Sequence, residues 1–182
     1  MAVHDFLIGR SLVLDQVVKY LAEYSIYVVP VILLILWFTA KKQREALALA
    51  FFGAVLSWLF LTKLVVSNIW FRPRPDLGIL NIKEVLFHRP DYSFPSDHAT
   101  ALFALTFGLY VFGYKKVANW FLLLSILVCV SRIAVGVHYP LDILGGIVSA
   151  AVGTLIIYLL KKPILKFIYQ PIVFVLKKVR LA

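Results

Sequence analysis

Between Tyr24 and Leu160 the chain is a succession of apolar runs of about bilayer length, broken by short clusters of charge, glycine or proline and by one longer polar connection, Phe71–Asp97, that holds four prolines. A helix of about 20 apolar residues crosses the hydrocarbon core of a membrane, so such runs dictate a membrane-embedded helical bundle. Composition agrees: 62% of the 182 residues are hydrophobic and the mean hydropathy is +0.92, against roughly 45–50% apolar residues in a soluble domain. The runs predict spans over Tyr24–Ala40, Ala46–Trp70, His98–Gly113, Ala118–Gly136 and Pro140–Leu160. Ahead of them, Ser11–Glu23 spaces Leu12, Val13, Leu14, Val17, Val18 and Leu21 among Asp15, Lys19 and Glu23, the pattern of an amphipathic interfacial helix. The tail from Lys161 to Ala182 is basic and apolar by turns and reads as a second interfacial helix or a partial span. The expected fold is therefore an all-α, polytopic membrane bundle of five to six spans with an N-terminal interfacial helix, residues 1–182 forming one domain. Met1–Arg10 carries His4 and Asp5 where a signal peptide would carry a basic run, so no cleaved leader is expected. Cys129, the single cysteine, lies in an apolar run and reads as a buried, inert thiol.

A net charge of +10 raises the question of an anionic partner, and its distribution answers it. Five spans put Lys41, Lys42, Arg44, Lys115, Lys116 and the five lysines and one arginine of the tail on one side, opposed by Glu45 alone. Eight basic and eight acidic residues remain for the other side. The whole excess lies on one face, which the positive-inside rule makes cytoplasmic. No nucleic-acid partner is implied. The expected setting is the plasma membrane, with the basic loops and C-terminus inside and the balanced face outside.

The remaining polar residues gather near that outer face, in segments 63–98 and 131–142. Ionisable groups at membrane depth are costly and mark function by default. In Phe94-Pro95-Ser96-Asp97-His98, Pro95 stops any preceding helix and Ser96 suits an N-cap, so the N–H groups of the following helix point outward as an anion site. Ordinary capping with an interfacial histidine fits the same five residues. In His138-Tyr139-Pro140-Leu141-Asp142, Pro140 suits the first helical position and Asp142 the third, from which a carboxylate reaches back toward His138. A carboxylate on one imidazole nitrogen fixes the tautomer and leaves the other nitrogen nucleophilic; a dipole-complementing Asp beside a loop His is the plainer reading. Arg72, Arg74 and Arg132 add planar bidentate donors that can offset the charge of a transferring phosphoryl group without a metal. A stiff, solvated Arg-Pro-Arg-Pro loop is again the plainer alternative. A metal set drawn from His88, Asp91, Asp97 and His98 matches no ligand spacing and stands beside arginines, so neither metal nor cofactor is expected.

Taken together these residues resemble the type 2 phosphatidic acid phosphatase superfamily, which also includes glucose-6-phosphatase and the vanadium haloperoxidases. Pro95-Ser96-Asp97-His98 matches the family's Pro-Ser-x-His motif, and Ser131 to Asp142 matches Ser-Arg-x5-His-x3-Asp in full. The resemblance implies a metal-independent phosphatase in which His138 is the nucleophile, Asp142 orients it and His98 protonates the leaving oxygen. Arg72, Arg74, Ser96, Arg132 and the amide of Asp97 would hold the phosphate. The first motif departs from the pattern: the family spacing of a lysine from Arg74-Pro75 falls on Ser67, and Lys63 lies one helical turn earlier. The Pro-Ser-Asp-His variant, the Arg-Pro-Arg-Pro run and the short length resemble bacterial undecaprenyl-diphosphate phosphatases related to bacitracin-resistance proteins. Their implied substrate is an isoprenoid diphosphate, with other isoprenoid or glycerolipid phosphates (phosphatidylglycerophosphate, diacylglycerol pyrophosphate, a lipid A phosphate) as alternatives. An anion transporter is the remote alternative, disfavoured by the lack of repeats and broken helices. A haloperoxidase is disfavoured because that branch is soluble.

Overall fold

The structure is a computed structural model that describes residues 2–76 and 92–178, and its regular elements are all helices among the residues described. Short helices α1 (Ala2–Leu7) and α2 (Leu12–Glu23) lead into α3 (Ser25–Thr39). Next comes α4 (Lys41–Ile69), a 29-residue helix whose second half, Leu56–Val66, widens to π-type turns. The bundle is completed by α5 (Asp97–Val111), α6 (Lys115–Ala134) and α7 (Pro140–Leu159), and the tail helix α8 covers 161–178. Each predicted span is a helix within a few residues of its expected limits.

Their lengths differ from one another. Helices α4, α6 and α7 are long and apolar enough to cross a membrane, and α2 with α3 makes a fourth candidate only as a pair bent by 63°. Helices α3 and α5 have 15 residues each, about 22 Å at 1.5 Å per residue, short of a hydrocarbon core of about 30 Å. By length and composition alone three helices qualify as spans, or four with the bent pair, and α3 and α5 are the shorter members of the bundle. The length of α5 is set at its two ends. Pro95 and Ser96 delay its start to Asp97, and Gly113, at φ +94°, lets the Tyr114 N–H turn back to the Leu109 carbonyl at 2.8 Å and close it. Helix α5 can be short because its neighbours cover it: Ala99, Leu102, Ala104, Leu105 and Leu109 are buried against α4, α6 and α7.

Close approach is achieved with small residues, as helices in lipid require. A Cβ on Gly108 would lie 2.6 Å from the Ala50 Cα, and one on Gly146 would lie 2.7 Å from the Ala99 Cβ and 2.9 Å from the Ser96 carbonyl oxygen. Hydroxyl pairs cross the same contacts, Thr62 with Thr100 and Thr106 with Ser125, each at 3.1 Å. Helix α7 shows the resulting segregation: Asp142, Gly146, Ser149 and Gly153 face inward, and Leu141, Leu144, Val148 and Leu155 face outward. Helices α1 and α2 cover the end of α6 through Val18, Ala22, Ala134, Val135 and Val137. This small apolar cap lies directly over the polar segments discussed next.

Candidate active site

The chain reverses after α6 through a Schellman turn. Gly136, at φ +75°, lets the Val137 N–H reach the Arg132 carbonyl at 3.2 Å while its own N–H reaches that of Ile133 at 3.0 Å. This returns His138 onto the last turn of α6, where Arg132 Nη2 donates to His138 Nε2 at 3.2 Å. The other guanidinium nitrogen, Nη1, donates to the Ala22 carbonyl at 2.9 Å, so the cap contributed by α2 aims the arginine.

Helix α7 begins immediately afterwards. Asp142 Oδ2 accepts the Tyr139 N–H at 2.7 Å and stands 3.5 Å from His138 Nδ1. Asp142 Oδ1 accepts from Arg72 Nη1 at 3.0 Å. The carboxylate is fully buried and His138 is only 4% exposed. Burial holds the His138 imidazole well below its usual range, at about 4, with Arg132 and Arg74 pushing the same way and Asp142 opposing them. At neutral pH the ring is uncharged. Its Nδ1 is directed at a carboxylate, and the lone pair on Nε2 faces a guanidinium, the position an incoming anion would take.

The second motif is tied to the first turn of α7. The Ser96 N–H donates to the Asp142 carbonyl at 2.9 Å, and Ser96 Oγ accepts the Ala99 N–H at 3.5 Å as the N-cap of α5. Asp97 and His98 therefore open α5 next to the start of α7, with His98 half-buried. Lys63 does reach this place from α4: its Nζ lies 2.9 Å from Asp97 Oδ2 and 5.4 Å from the centre of the Tyr92 ring. The shifted register of the first motif is thus accommodated by the Asp97 carboxylate. Arg74 Nη1 donates to the Val137 carbonyl at 2.9 Å. The loop carrying both arginines is pinned by Ser93, whose N–H donates to the Arg72 carbonyl at 2.8 Å and whose hydroxyl donates to that of Pro73 at 3.1 Å.

All nine residues singled out in the sequence thus fall at one end of the bundle. Four cations, Lys63, Arg72, Arg74 and Arg132, gather there with the carboxylates of Asp97 and Asp142, an arrangement suited to an anion. Sequence reasoning missed three contributors. The Arg72 guanidinium lies 4.0 Å over the ring of Tyr139, a residue inside the third motif whose aromatic character was the available signal. The Ala22 and Val137 carbonyls left no signal, because a backbone acceptor has no residue type. Among the described residues no group of three or more His, Cys, Asp or Glu side chains is placed to hold a metal ion; His88 and Asp91 of the set weighed in the sequence lie outside those residues.

The chain has relatives in sequence and in fold. The sequence profile of the PAP2 superfamily matches residues 46–165. The chain is 31% identical to the undecaprenyl-diphosphatase BcrC of Bacillus subtilis (strain 168) over 83% of its length and 76% of that protein's. It is also 31% identical to a BcrC protein of Bacillus licheniformis named a bacitracin transport permease, over 86% and 76%. Lipid A 1-phosphatase of Rhizobium johnstonii is 29% identical over 62% of this chain and 49% of that protein. In fold the chain is similar to the crystal structure of Aquifex aeolicus LpxE, with a TM-score of 0.64 at 23% identity, over 86% of this chain and 92% of the other. The profile spans most of the chain, including every motif residue from Lys63 to Asp142, and the protein therefore belongs to the PAP2 superfamily as a membrane lipid phosphatase.

Proposed function

We propose that the protein removes the terminal phosphate of undecaprenyl diphosphate through a phosphohistidine at His138. The observation that carries the mechanism is the His138 environment: an uncharged imidazole with Nδ1 toward Asp142 and Nε2 facing the Arg132 guanidinium at 3.2 Å. In the first step Nε2 attacks the terminal phosphorus, the bond to the bridging oxygen breaks, and His98 protonates that oxygen as undecaprenyl phosphate leaves. The positive charge on the phosphorylated ring is met by Asp142. In the second step His98, now neutral, takes a proton from water; the hydroxyl attacks phosphorus, the N–P bond breaks, and inorganic phosphate departs. Arg72, Arg74, Arg132, Lys63, Ser96 and the Asp97 N–H hold the three equatorial oxygens, whose charge grows in the transition state. Electrostatic stabilisation by guanidinium forks makes a metal unnecessary for this chemistry.

The diphosphate substrate is supported by the BcrC relatives, matched at 31% identity over most of the chain. The basic loops and tail support, by the positive-inside rule, a site on the outer face, where a spent isoprenoid carrier would be returned to its monophosphate for cell-wall synthesis. A second reading, another lipid phosphate, is favoured by the lipid A 1-phosphatase relatives at 29% identity. The test is phosphate release in detergent with EDTA, from undecaprenyl diphosphate and from phosphatidylglycerophosphate side by side, for the unaltered protein and His138→Ala. Metal-independent release, faster from the isoprenoid and lost in the variant, is expected. Faster release from the glycerolipid would move the substrate to the second reading. Anion flux across vesicles that survived His138→Ala, with no hydrolysis by either form, would make the chain a transporter.

A further inference from the structure

Tyr139 touches both oxygens of the Asp142 carboxylate, one directly and one through another residue. Its N–H donates to Oδ2 at 2.7 Å, and its ring lies 4.0 Å beneath the Arg72 guanidinium that donates to Oδ1 at 3.0 Å. The first contact exists for any residue but proline. The second depends on the aromatic side chain, because a guanidinium over a ring face is held by the ring quadrupole and by stacking. Arg72 needs such a support. It lies in the loop between α4 and α5, whose backbone is pinned by Ser93 and bridged at Pro73 and Tyr92, whereas its side chain is 29% exposed.

We infer that Tyr139 is a positioning residue that sets the charge Asp142 presents to His138 by carrying Arg72 on its ring. The inference rests on the proposed role of His138. With Arg72 seated, part of the carboxylate's charge is offset at Oδ1, and less is left at Oδ2 to hold a proton on the imidazole. With the ring removed, Arg72 gains rotamers, its pairing with Asp142 weakens, and His138 binds a proton more readily. The other groups facing His138 are Arg132 from α6 and Arg74 from the loop. Around them lie Asp97, paired with Lys63, and His98 at the start of α5, with Glu23 of α2 and His4 of α1, whose Nδ1 donates to the Ala134 carbonyl at 2.7 Å. None of these is exchanged in the variants below.

The test is a pH titration of 15N-histidine-labelled protein in micelles, with the His138 signals assigned by their loss in His138→Asn. Tyr139→Leu should raise the His138 pKa by about one unit, within the range a single nearby charge commands. Tyr139→Phe, which keeps the ring, should restore the titration of the unaltered protein. Arg72→Ala should reproduce the shift, and adding Tyr139→Leu to it should shift nothing more. The acid limb of lipid phosphate hydrolysis should move to higher pH in the same two single variants, which a loss of folded protein would not cause. An unmoved His138 titration in Tyr139→Leu, or in Arg72→Ala should the leucine variant not fold, overturns the inference, as does a further shift in the double variant. The NMR readout uses no substrate, so an NMR shift without undecaprenyl diphosphate hydrolysis would leave this inference standing and remove the substrate assignment alone.

Discussion

Helices α5 and α7 each have a histidine at or just before the first turn, at the same end of the bundle, and they hold it differently. At the start of α7, His138 is buried, its partner Asp142 is fully buried, and that one carboxylate meets a backbone N–H, an imidazole and a guanidinium. At the start of α5, His98 is half-buried and its neighbour Asp97 is paired with Lys63 by side chains that are 31% and 36% exposed. The first arrangement is pre-organised and dry, as the proposed nucleophile needs. The second is less buried and its Asp97–Lys63 pair is half-solvated, as suits the proposed proton donor, which would meet a leaving oxygen and then water. A buried network in low dielectric is also where a single deletion costs most.

That contrast orders the expected effects. His138→Ala should lower phosphate release by about four orders of magnitude or more, to the background of the assay, because no second nucleophile stands at Nε2. His98→Gln should cost about 100- to 10,000-fold with a lipid leaving group and much less with nitrophenyl phosphate, whose leaving group departs without a proton. Equal losses on both substrates would break the division of labour between the two helix starts. Lys63→Met should cost about tenfold, the worth of one charge-assisted hydrogen bond of roughly 1.5 kcal/mol. A loss as large as that of Arg132→Ala would show that the open side is as pre-organised as the closed one.

The smallest effect is on pH. His138 is held at about 4 against an ordinary 6.5, so it stays neutral and nucleophilic down to about pH 4, and an acid limb at the ordinary histidine value would contradict its burial. Linkage has the same sign. Between 6.5 and about 4 the unfolded chain takes up a proton that folded His138 refuses, so this residue's contribution to stability is present above 6.5 and lost as pH falls through that window. Melting temperatures of the unaltered protein in detergent, measured from pH 7 to 4, should therefore fall more steeply than those of His138→Asn.

Much of this site is legible in the sequence because its chemistry rests on residue types at fixed spacing. Pro140 at the first helical position and Asp142 at the third dictate the reach of the carboxylate toward His138, and the structure places them so. Lys63 was visible as the lysine out of register, and its reach to Asp97 follows from both lying at the site end of their helices. Arg72 is legible as a candidate hydrogen-bond donor to a phosphate, yet its seat on Tyr139 and Asp142 depends on how a loop folds back over α7, which no local periodicity encodes. The aiming of Arg132 by the Ala22 carbonyl spans 110 residues and belongs to the packing of α2 on α6. The limits of α5, by contrast, are legible: Ser96 caps its start and Gly113 turns the chain just past its end, and both residue types mark the edges of the apolar run.

The central claim is that phosphate passes through His138, and trapping that intermediate tests it most directly. Substrate labelled in its terminal phosphate would be mixed with the unaltered protein, His98→Gln and His138→Ala, quenched within milliseconds in alkali, and separated by gel. The account predicts a labelled band that is stable in alkali and lost in acid, as a phosphoramidate is, and absent from His138→Ala. No labelled band in the unaltered protein or in His98→Gln, while phosphate is released at full rate by the former, would mean that water attacks the phosphorus directly and would contradict the account.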